Sequence, residues 1–254
     1  MSHRERDLGD HPFERISRGV SILRRLAFRG LEHIPPSSPA LIATTHSSPL
    51  DLFYYLSFMR RLGRTDYSFV MAGELLDEAA FRSYTRDSLE DSLPALGAPL
   101  SSVTDRLSQV VPPLLRRLNA IPVYREGDDS ESRRRSLDCL LRGELVTIAP
   151  GRGDDRHRDA AGMRPLTHGV ASIARRYFDA TSKPLDVVPV AICKSGLRLL
   201  PKVTMRIGPS FLGMSDSTYP DLFSAVGRTD SAVKHAAYQH FTRRLAERLS
   251  ELLV

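Results

Sequence analysis

The most visible gap in this 254-residue chain is the lack of long apolar runs, and it has no tryptophan. No uninterrupted stretch approaches the 18 residues of a membrane-spanning helix, and the best run, Val187–Cys193, contains Pro189. The first ten residues are charged, which is unlike a secretory signal. With 41% hydrophobic and 26% charged residues, the sequence predicts a soluble globular protein that does not span a membrane.

Cysteine and lysine are also scarce. The two cysteines, Cys139 and Cys193, sit in apolar patterns, which indicates core thiols in a reducing compartment rather than a disulfide. Only four of the 36 basic residues are lysines, and the net charge is +6. Arginine pairs well with phosphates on lipids, coenzyme A or nucleic acid, although a solvated arginine-rich surface is the simpler explanation. Basic stretches rich in aromatics are missing, so no nucleic-acid partner is predicted.

Short apolar segments alternate with helical patterns, which predicts one α/β domain over residues 1–254, with a mostly parallel central sheet flanked by helices. A helical insertion is expected around 74–118, which lines a tunnel or forms a lid, or is a helical subdomain with its own core. Further helices are predicted to open at Ser48-Pro49 and to cover 130–143, 167–178 and 230–254. Strands are predicted at Leu41–Thr45, Tyr67–Ala72, Ile121–Tyr124, Glu144–Ala149, Asp186–Cys193 and, as an edge strand, around Val203, Met205 and Ile207.

The first 30 residues predict an N-terminal amphipathic helix. Phe13, Ile16, Val20, Leu23 and Ala27 form one stripe over residues 12–28, with arginines elsewhere. Such a helix packs on its own domain or lies on an anionic membrane surface.

His46 and Asp51 follow an apolar run and precede a helical pattern. If the chain turns back there, Asp51 holds one imidazole nitrogen and leaves the other free to accept a proton, which makes His46 a general base for activating a hydroxyl. The alternative is structural, because Asp51 lies three residues after the candidate cap Ser48 and would there accept backbone N–H groups of a helix start.

Signatures of other chemistries are missing from the sequence. There is no Gly-x-Ser-x-Gly elbow and no Gly-x-x-x-x-Gly-Lys phosphate loop. His157 and His168 have no partners at metal-ligand spacing. We therefore expect neither a metal nor a bound cofactor.

Five segments stand in a fixed order along the chain: Arg29–Pro35, His46–Asp51, Ala120–Arg125, Gly162–Ala171 and Val187–Val190. In this order they resemble the glycerolipid acyltransferase family, of the lysophosphatidic acid acyltransferase type, and the resemblance runs from about Arg29 to Gly208. The His46–Asp51 spacing matches the family's H-x4-D motif.

The third block of the family diverges in this chain. The usual Pro-Glu-Gly-Thr-Arg is replaced by Pro150 followed by Gly-Arg-Gly-Asp-Asp-Arg, so the glutamate is missing. In the family this block contacts the phosphate of the acceptor, and its divergence bears on acceptor identity. Backbone N–H groups and arginines still suit an anion, so the substrate-binding candidates are Arg125, Gly151, Arg152, Gly153 and Arg156.

The resemblance implies an O-acyltransferase in phospholipid metabolism that moves a fatty acyl group from acyl-CoA or acyl carrier protein to a hydroxyl acceptor, a (lyso)phospholipid or related lipid. His46 is then the general base, and Asp51 orients it. The donor thioester is a co-substrate, and no cofactor is needed. The lipid acceptor places the protein in the cytoplasm, peripheral on the inner face of the membrane. The alternative is a non-catalytic lipid- or acyl-carrier-binding module on the same fold.

Overall fold

The computed structural model describes residues 25–46, 51–83, 105–106, 108–113, 115–116, 118–124, 129–151, 163–196, 202–210, 220–223 and 230–254. The chain forms two compact units. The first consists of Met1–Tyr67 with Leu137–Val254, and the second of Ser68–Ser136. That the whole chain works as one acyltransferase domain stays a prediction.

Seven strands lie in the described residues: β1 (Ala27–Arg29), β2 (Ala40–Thr44), β3 (Tyr67–Ala72), β4 (Ala120–Val123), β5 (Leu145–Ile148), β6 (Asp186–Ser195) and β7 (Lys202–Ile207). The α-helices with assigned bounds in the described residues are α1 (Asp51–Leu62), α2 (Ser130–Leu141), α3 (Gly169–Thr181), α4 (Pro220–Phe223) and α5 (Ser231–Leu253).

In the first unit the strand order is β1-β7-β6-β2-β5. All pairs are parallel except β6 with β7. Strand β2 is buried along its whole length, which explains why its sequence is apolar without alternation. The predicted α/β class, with a mostly parallel sheet flanked by helices, is confirmed.

Strand β1 corrects two predictions at once. Ala27 and Phe28 are part of this strand, not the end of a helix over 12–28, and β1 pairs in parallel with β7. Strand β7 is therefore not at the edge of its sheet, although Val203, Met205 and Ile207 are buried as expected. The helix prediction was wrong because backbone hydrogen bonds to β7 outweigh the local helical pattern of these residues. The edge prediction was wrong because alternation of apolar residues shows which face of a strand is buried, and not whether another strand pairs beside it.

Gly30 makes the turn out of β1. Its φ of 82° lies in the left-handed region, and a Cβ atom at this position would collide with the carbonyl oxygen of Ile207. His33 donates from Nδ1 to the same carbonyl oxygen at 2.9 Å, because a carbonyl oxygen only accepts. These contacts fix the register between the start of the described chain and the end of β7.

Arg64 joins several segments of the first unit after α1. Its buried guanidinium donates to the carbonyl oxygens of Pro35 and Ser38, both at 3.1 Å, and of Gly143 at 3.0 Å. It also forms a two-point ion pair with Asp66. One arginine thus satisfies three backbone acceptors from distant parts of the sequence.

In the second unit β3 and β4 pair in parallel, with Phe69 opposite Ala120. Helical structure follows β3 at Gly73–Leu76, and residues 78–83, 105–106, 108–113 and 115–116 are also helical. This agrees with helical pieces in the predicted insertion, whose residues 84–104 lie outside the described part of the chain.

Other predictions also bear on the elements. Helix α5 begins as expected near residue 230, because the Asp230 side chain accepts from the backbone N–H groups of Ala232 and Val233. Both cysteines are free thiols, Cys139 buried and Cys193 partly buried. Within the described residues, no helix combines the length and apolar character needed to cross a bilayer. Residues 1–24, which contain most of the predicted N-terminal helix, lie outside the described part.

Candidate active site

The chain leaves β2 in a fixed conformation. The backbone N–H of Thr45 donates to the carbonyl oxygen of Val190 at 3.0 Å, and the backbone N–H of Ile192 donates to Thr45 Oγ1 at 2.9 Å. Both partners belong to the neighbouring strand β6. His46, the next residue, therefore starts from a rigid position at the carboxyl end of a parallel strand, where α/β folds commonly place ligand sites.

His46 and Asp51 lie together, as the sequence predicts. His46 Nδ1 is 3.2 Å from Asp51 Oδ2. The Asp51 side chain is fully buried, whereas that of His46 is 36% exposed. Asp51 is the first residue of α1, so its carboxylate also benefits from the positive end of the helix dipole. The candidate cap Ser48 and Pro49 lie outside the described residues.

The protonation pattern of the pair follows from its chemistry. An ionised carboxylate only accepts hydrogen bonds, so Nδ1 of a neutral His46 carries the proton when it bonds to Asp51. The lone pair is then on Nε2 of a ring that is partly exposed. A partly exposed ring in this protonation state can act as a general base toward a ligand at Nε2.

Two other side chains surround Asp51. Lys194 Nζ lies 3.9 Å from Asp51 Oδ1, and its side chain is 30% exposed. Tyr55, one helical turn after Asp51, is buried. Burial first and the negative charge of Asp51 second raise the pKa of Tyr55 well above its usual value, against a hydrogen bond with Thr44 that lowers it. Tyr55 is thus a neutral phenol in this site.

The Tyr55 hydroxyl also anchors α1 to the end of β2. It lies 2.8 Å from Thr44 Oγ1 and 2.9 Å from the carbonyl oxygen of Thr45. Thr44 Oγ1 is 3.1 Å from that carbonyl oxygen. Since each hydroxyl has one proton, either the tyrosine or the threonine donates to the carbonyl while the other donates to its neighbour. The helix that carries Asp51 is therefore tied to the end of the strand that leads to His46.

His46 opens onto a cleft in the first unit. Part of the lining comes from a bridge between Gly151 and Leu166, supported by a 2.8 Å hydrogen bond from the Thr167 N–H to the Pro150 carbonyl oxygen. A Cβ atom on Gly151 would lie 3.1 Å from the Cβ of Arg164, so glycine allows the two segments to approach. The cleft is lined by Thr44, Thr45, His46, Gly151, Met163, Arg164, Leu166 and Leu249.

The predicted substrate-binding residues are only partly described. Gly151 lines the cleft beside His46. Arg125, Arg152, Gly153 and Arg156 lie outside the described residues, and their role stays a prediction. In the part of the chain that the structure describes, no group of three or more His, Cys, Asp or Glu side chains is arranged to hold a metal ion.

Comparison with solved structures shows a likeness to a known protein. The chain is similar to the 1-acyl-sn-glycerophosphate (LPA) acyltransferase PlsC from Thermotoga maritima, with 14% sequence identity, a TM-score of 0.43, and coverage of 93% of this chain and 81% of that one. No family model and no curated protein sequence matches the chain. Similarity at this level leaves function to be inferred from the residues of the site.

Three residues of the site were not predicted from sequence: Lys194, Tyr55 and Arg164. Tyr55 was predictable in principle, because it follows Asp51 by four residues on a helix and that spacing puts both side chains on one face. Lys194 is one of four lysines among 36 basic residues and stands at the end of a buried strand, which is a weak signal. Nothing in the sequence near Arg164 indicates that it reaches the His46 cleft.

Proposed function

We propose that this protein is an acyltransferase that moves a fatty acyl group from a thioester to a hydroxyl acceptor. The observation that carries the proposal is the 3.2 Å contact between the partly exposed imidazole of His46 and the fully buried carboxylate of Asp51. The ordered segments around this pair, from Arg29–Pro35 to Val187–Val190, support acyl transfer over other reactions that use a general base.

In the proposed reaction His46 Nε2 removes the proton of the acceptor hydroxyl. The oxygen attacks the thioester carbonyl, the C–S bond breaks, and the proton passes from His46 to the leaving thiolate. Asp51 accepts the Nδ1–H throughout and stabilises the imidazolium without taking its proton. The acyl group is already activated as a thioester, so neither an acyl-enzyme nor a nucleophilic serine or cysteine is required.

The lining of the cleft supports an amphiphilic substrate. Met163, Leu166 and Leu249 provide apolar surface, and Arg164 provides a cation beside them. Arg125, Gly151, Arg152, Gly153 and Arg156 are the proposed anion-binding residues. The proposed donor is acyl-CoA or acyl carrier protein, and the proposed acceptor is a (lyso)phospholipid or related lipid, reached from the inner face of the membrane.

The test is thiol release from palmitoyl-CoA, and in parallel from palmitoyl-acyl carrier protein, by the purified protein with lysophosphatidic acid and a panel of other hydroxyl acceptors. We expect His46→Ala to lower the rate by about 10²–10⁴, the usual contribution of a general base. The matched control is His235→Ala, which removes an exposed histidine of α5.

The outcomes separate the alternatives. His46-dependent release with lysophosphatidic acid indicates that the common reaction of the family survives the divergent third block. Release with another hydroxyl acceptor but not with lysophosphatidic acid indicates that the divergent third block selects a different acceptor. Near-normal release by His46→Ala contradicts the mechanism. Binding of acyl donor without release under any condition favours the non-catalytic module.

A further inference from the structure

Asp51 has a different nitrogen near each of its two oxygens. Oδ2 faces His46 Nδ1 at 3.2 Å, and Oδ1 faces Lys194 Nζ at 3.9 Å. The carboxylate itself is fully buried. A buried ionised carboxylate is strongly destabilised unless a positive charge or several hydrogen bonds compensate it.

The two nitrogens differ in charge when the site is ready to react. A general base must start neutral, so His46 then offers Asp51 a hydrogen bond but no positive charge. Among the described residues, Lys194 places a positive charge 3.9 Å from Asp51 Oδ1 in that state. Its removal would favour protonation of His46, and a protonated ring cannot accept a proton from the acceptor.

We propose that Lys194 is a positioning residue of this site, whose ammonium compensates the Asp51 carboxylate while His46 is neutral and so favours the form of His46 that can accept a proton. The role of Lys194 in catalysis rests on the proposed function, whereas its effect on the protonation of His46 can be measured without turnover. Lys194 lies near the end of β6, and the backbone N–H of Ile192 in the same strand donates to Thr45 Oγ1. Strand β6 therefore positions both the Lys194 ammonium and Thr45, the residue before His46.

The geometry suits a charge rather than a tight hydrogen bond. At 3.9 Å the ammonium attracts Asp51 without displacing the imidazole from Oδ2. Its 30% exposure moderates the attraction through solvent. Other titratable or charged groups beside the pair, among the described residues, are Tyr55 on α1 and Arg164 in the cleft lining. Tyr55 is uncharged, and Arg164 is present in every variant below.

The experiment is an NMR titration of the imidazole carbon-bound protons of the full chain, between pH 5 and 9. The chain has eight histidines, and the His46 signal is identified by its loss in His46→Ala. We expect the His46 titration midpoint to move up by about 1 pH unit in Lys194→Met, the usual size of a perturbation by a neighbouring charge. Lys194→Gln also removes the positive charge and is expected to give the same shift. It replaces Lys194→Met in the test if the methionine variant folds poorly.

Two variants separate charge from packing. Lys194→Arg keeps the positive charge and is expected to leave the midpoint unchanged. Lys183→Met makes the same change of net charge at an exposed lysine before the opposite end of β6, and it too is expected to leave the midpoint unchanged. An unchanged midpoint in both Lys194→Met and Lys194→Gln overturns the inference, and so does an equal shift in Lys183→Met.

The titration needs no turnover, so it stands apart from the test of acyl transfer. If thiol release is detected, the acidic limb of the pH profile of kcat/KM moves to higher pH by the same amount in Lys194→Met, and Lys194→Arg restores it. A merely structural role would lower activity at every pH without moving that limb.

Discussion

Asp51 is a buried side chain whose role depends on its charge. Its oxygens face two nitrogens, and its negative charge adds to burial, the larger cause, in raising the pKa of Tyr55. A cap residue that only receives backbone N–H groups does not need His46 against one oxygen and Lys194 near the other. The arrangement therefore favours a functional carboxylate over the structural alternative.

Replacing Asp51 by asparagine tests this at constant shape. The introduced amide supplies either an acceptor or a donor to His46 Nδ1 and lacks the charge that stabilises the imidazolium. We expect Asp51→Asn to lower the rate of thiol release by about 10²–10⁴. Circular dichroism and thermal unfolding check that the fold is retained, and a folded variant with full activity would contradict the assigned role.

Site residues that are close in sequence could be predicted to meet, whereas those far apart along the chain could not. His46 and Asp51 are close in sequence, so their spacing predicted the contact. Lys194 and Arg164 come from segments far along the chain and meet the site only because β6 and the Gly151–Leu166 bridge bring them there. Pairing of that range has no local signature.

The elements show where local patterns succeed and where pairing overrides them. Strands β2 to β6 and helices α3 and α5 were predicted because apolar runs and caps are local signals. Strand β1 was predicted as the end of a helix because Ala27 continues an apolar stripe. Its identity depends on the backbone groups of β7, which the stripe does not report.

Arg64 is an element-scale connection, and its loss should destabilise the first unit. Arg64→Ala removes the donors of three carbonyl oxygens and the ion pair with Asp66. We expect a loss of about 3 kcal/mol in the free energy of unfolding, measured by urea denaturation. Arg134→Ala, which removes an exposed pair with Glu131 on α2, should lower the free energy of unfolding far less, because water and salt screen that pair. Equal effects of the two substitutions would count against the role of Arg64.

At the scale of the whole molecule, the α/β class followed from the alternation of apolar and helical segments. The division of contacts into two units did not, because no linker in the sequence separates Ser68–Ser136 from its flanks. A segment inserted between strands keeps the same local patterns whether it joins an existing core or forms its own. Contacts, rather than periodicity, distinguish the two.

Acid stability is a property of the whole fold that His168 is expected to influence. Burial first and His235 second lower the pKa of His168 below 6.5. The unfolded chain therefore binds a proton at higher pH than the native one, and the native state loses stability as pH falls from 6.5 through the folded pKa. We expect the drop in unfolding free energy between about pH 7.5 and 5.5 to be smaller in His168→Gln.

Urea denaturation at both pH values measures this drop. Glutamine retains a polar group near Thr242, which His168 Nδ1 approaches at 2.9 Å. His235→Gln removes only the second cause and should reduce the drop by less. An unchanged drop in His168→Gln would show that other groups control acid unfolding.

Strand β1 has one more consequence, for self-association. It is three residues long and ends at Arg29, a short strand with a charged end, and it occupies the backbone groups of β7 that would otherwise face outward. An unpaired β7 offers a ready template for a strand of another molecule. Deletion of the chain through Arg29 would therefore convert β7 from an internal strand into an edge strand, and we expect it to promote self-association through β7.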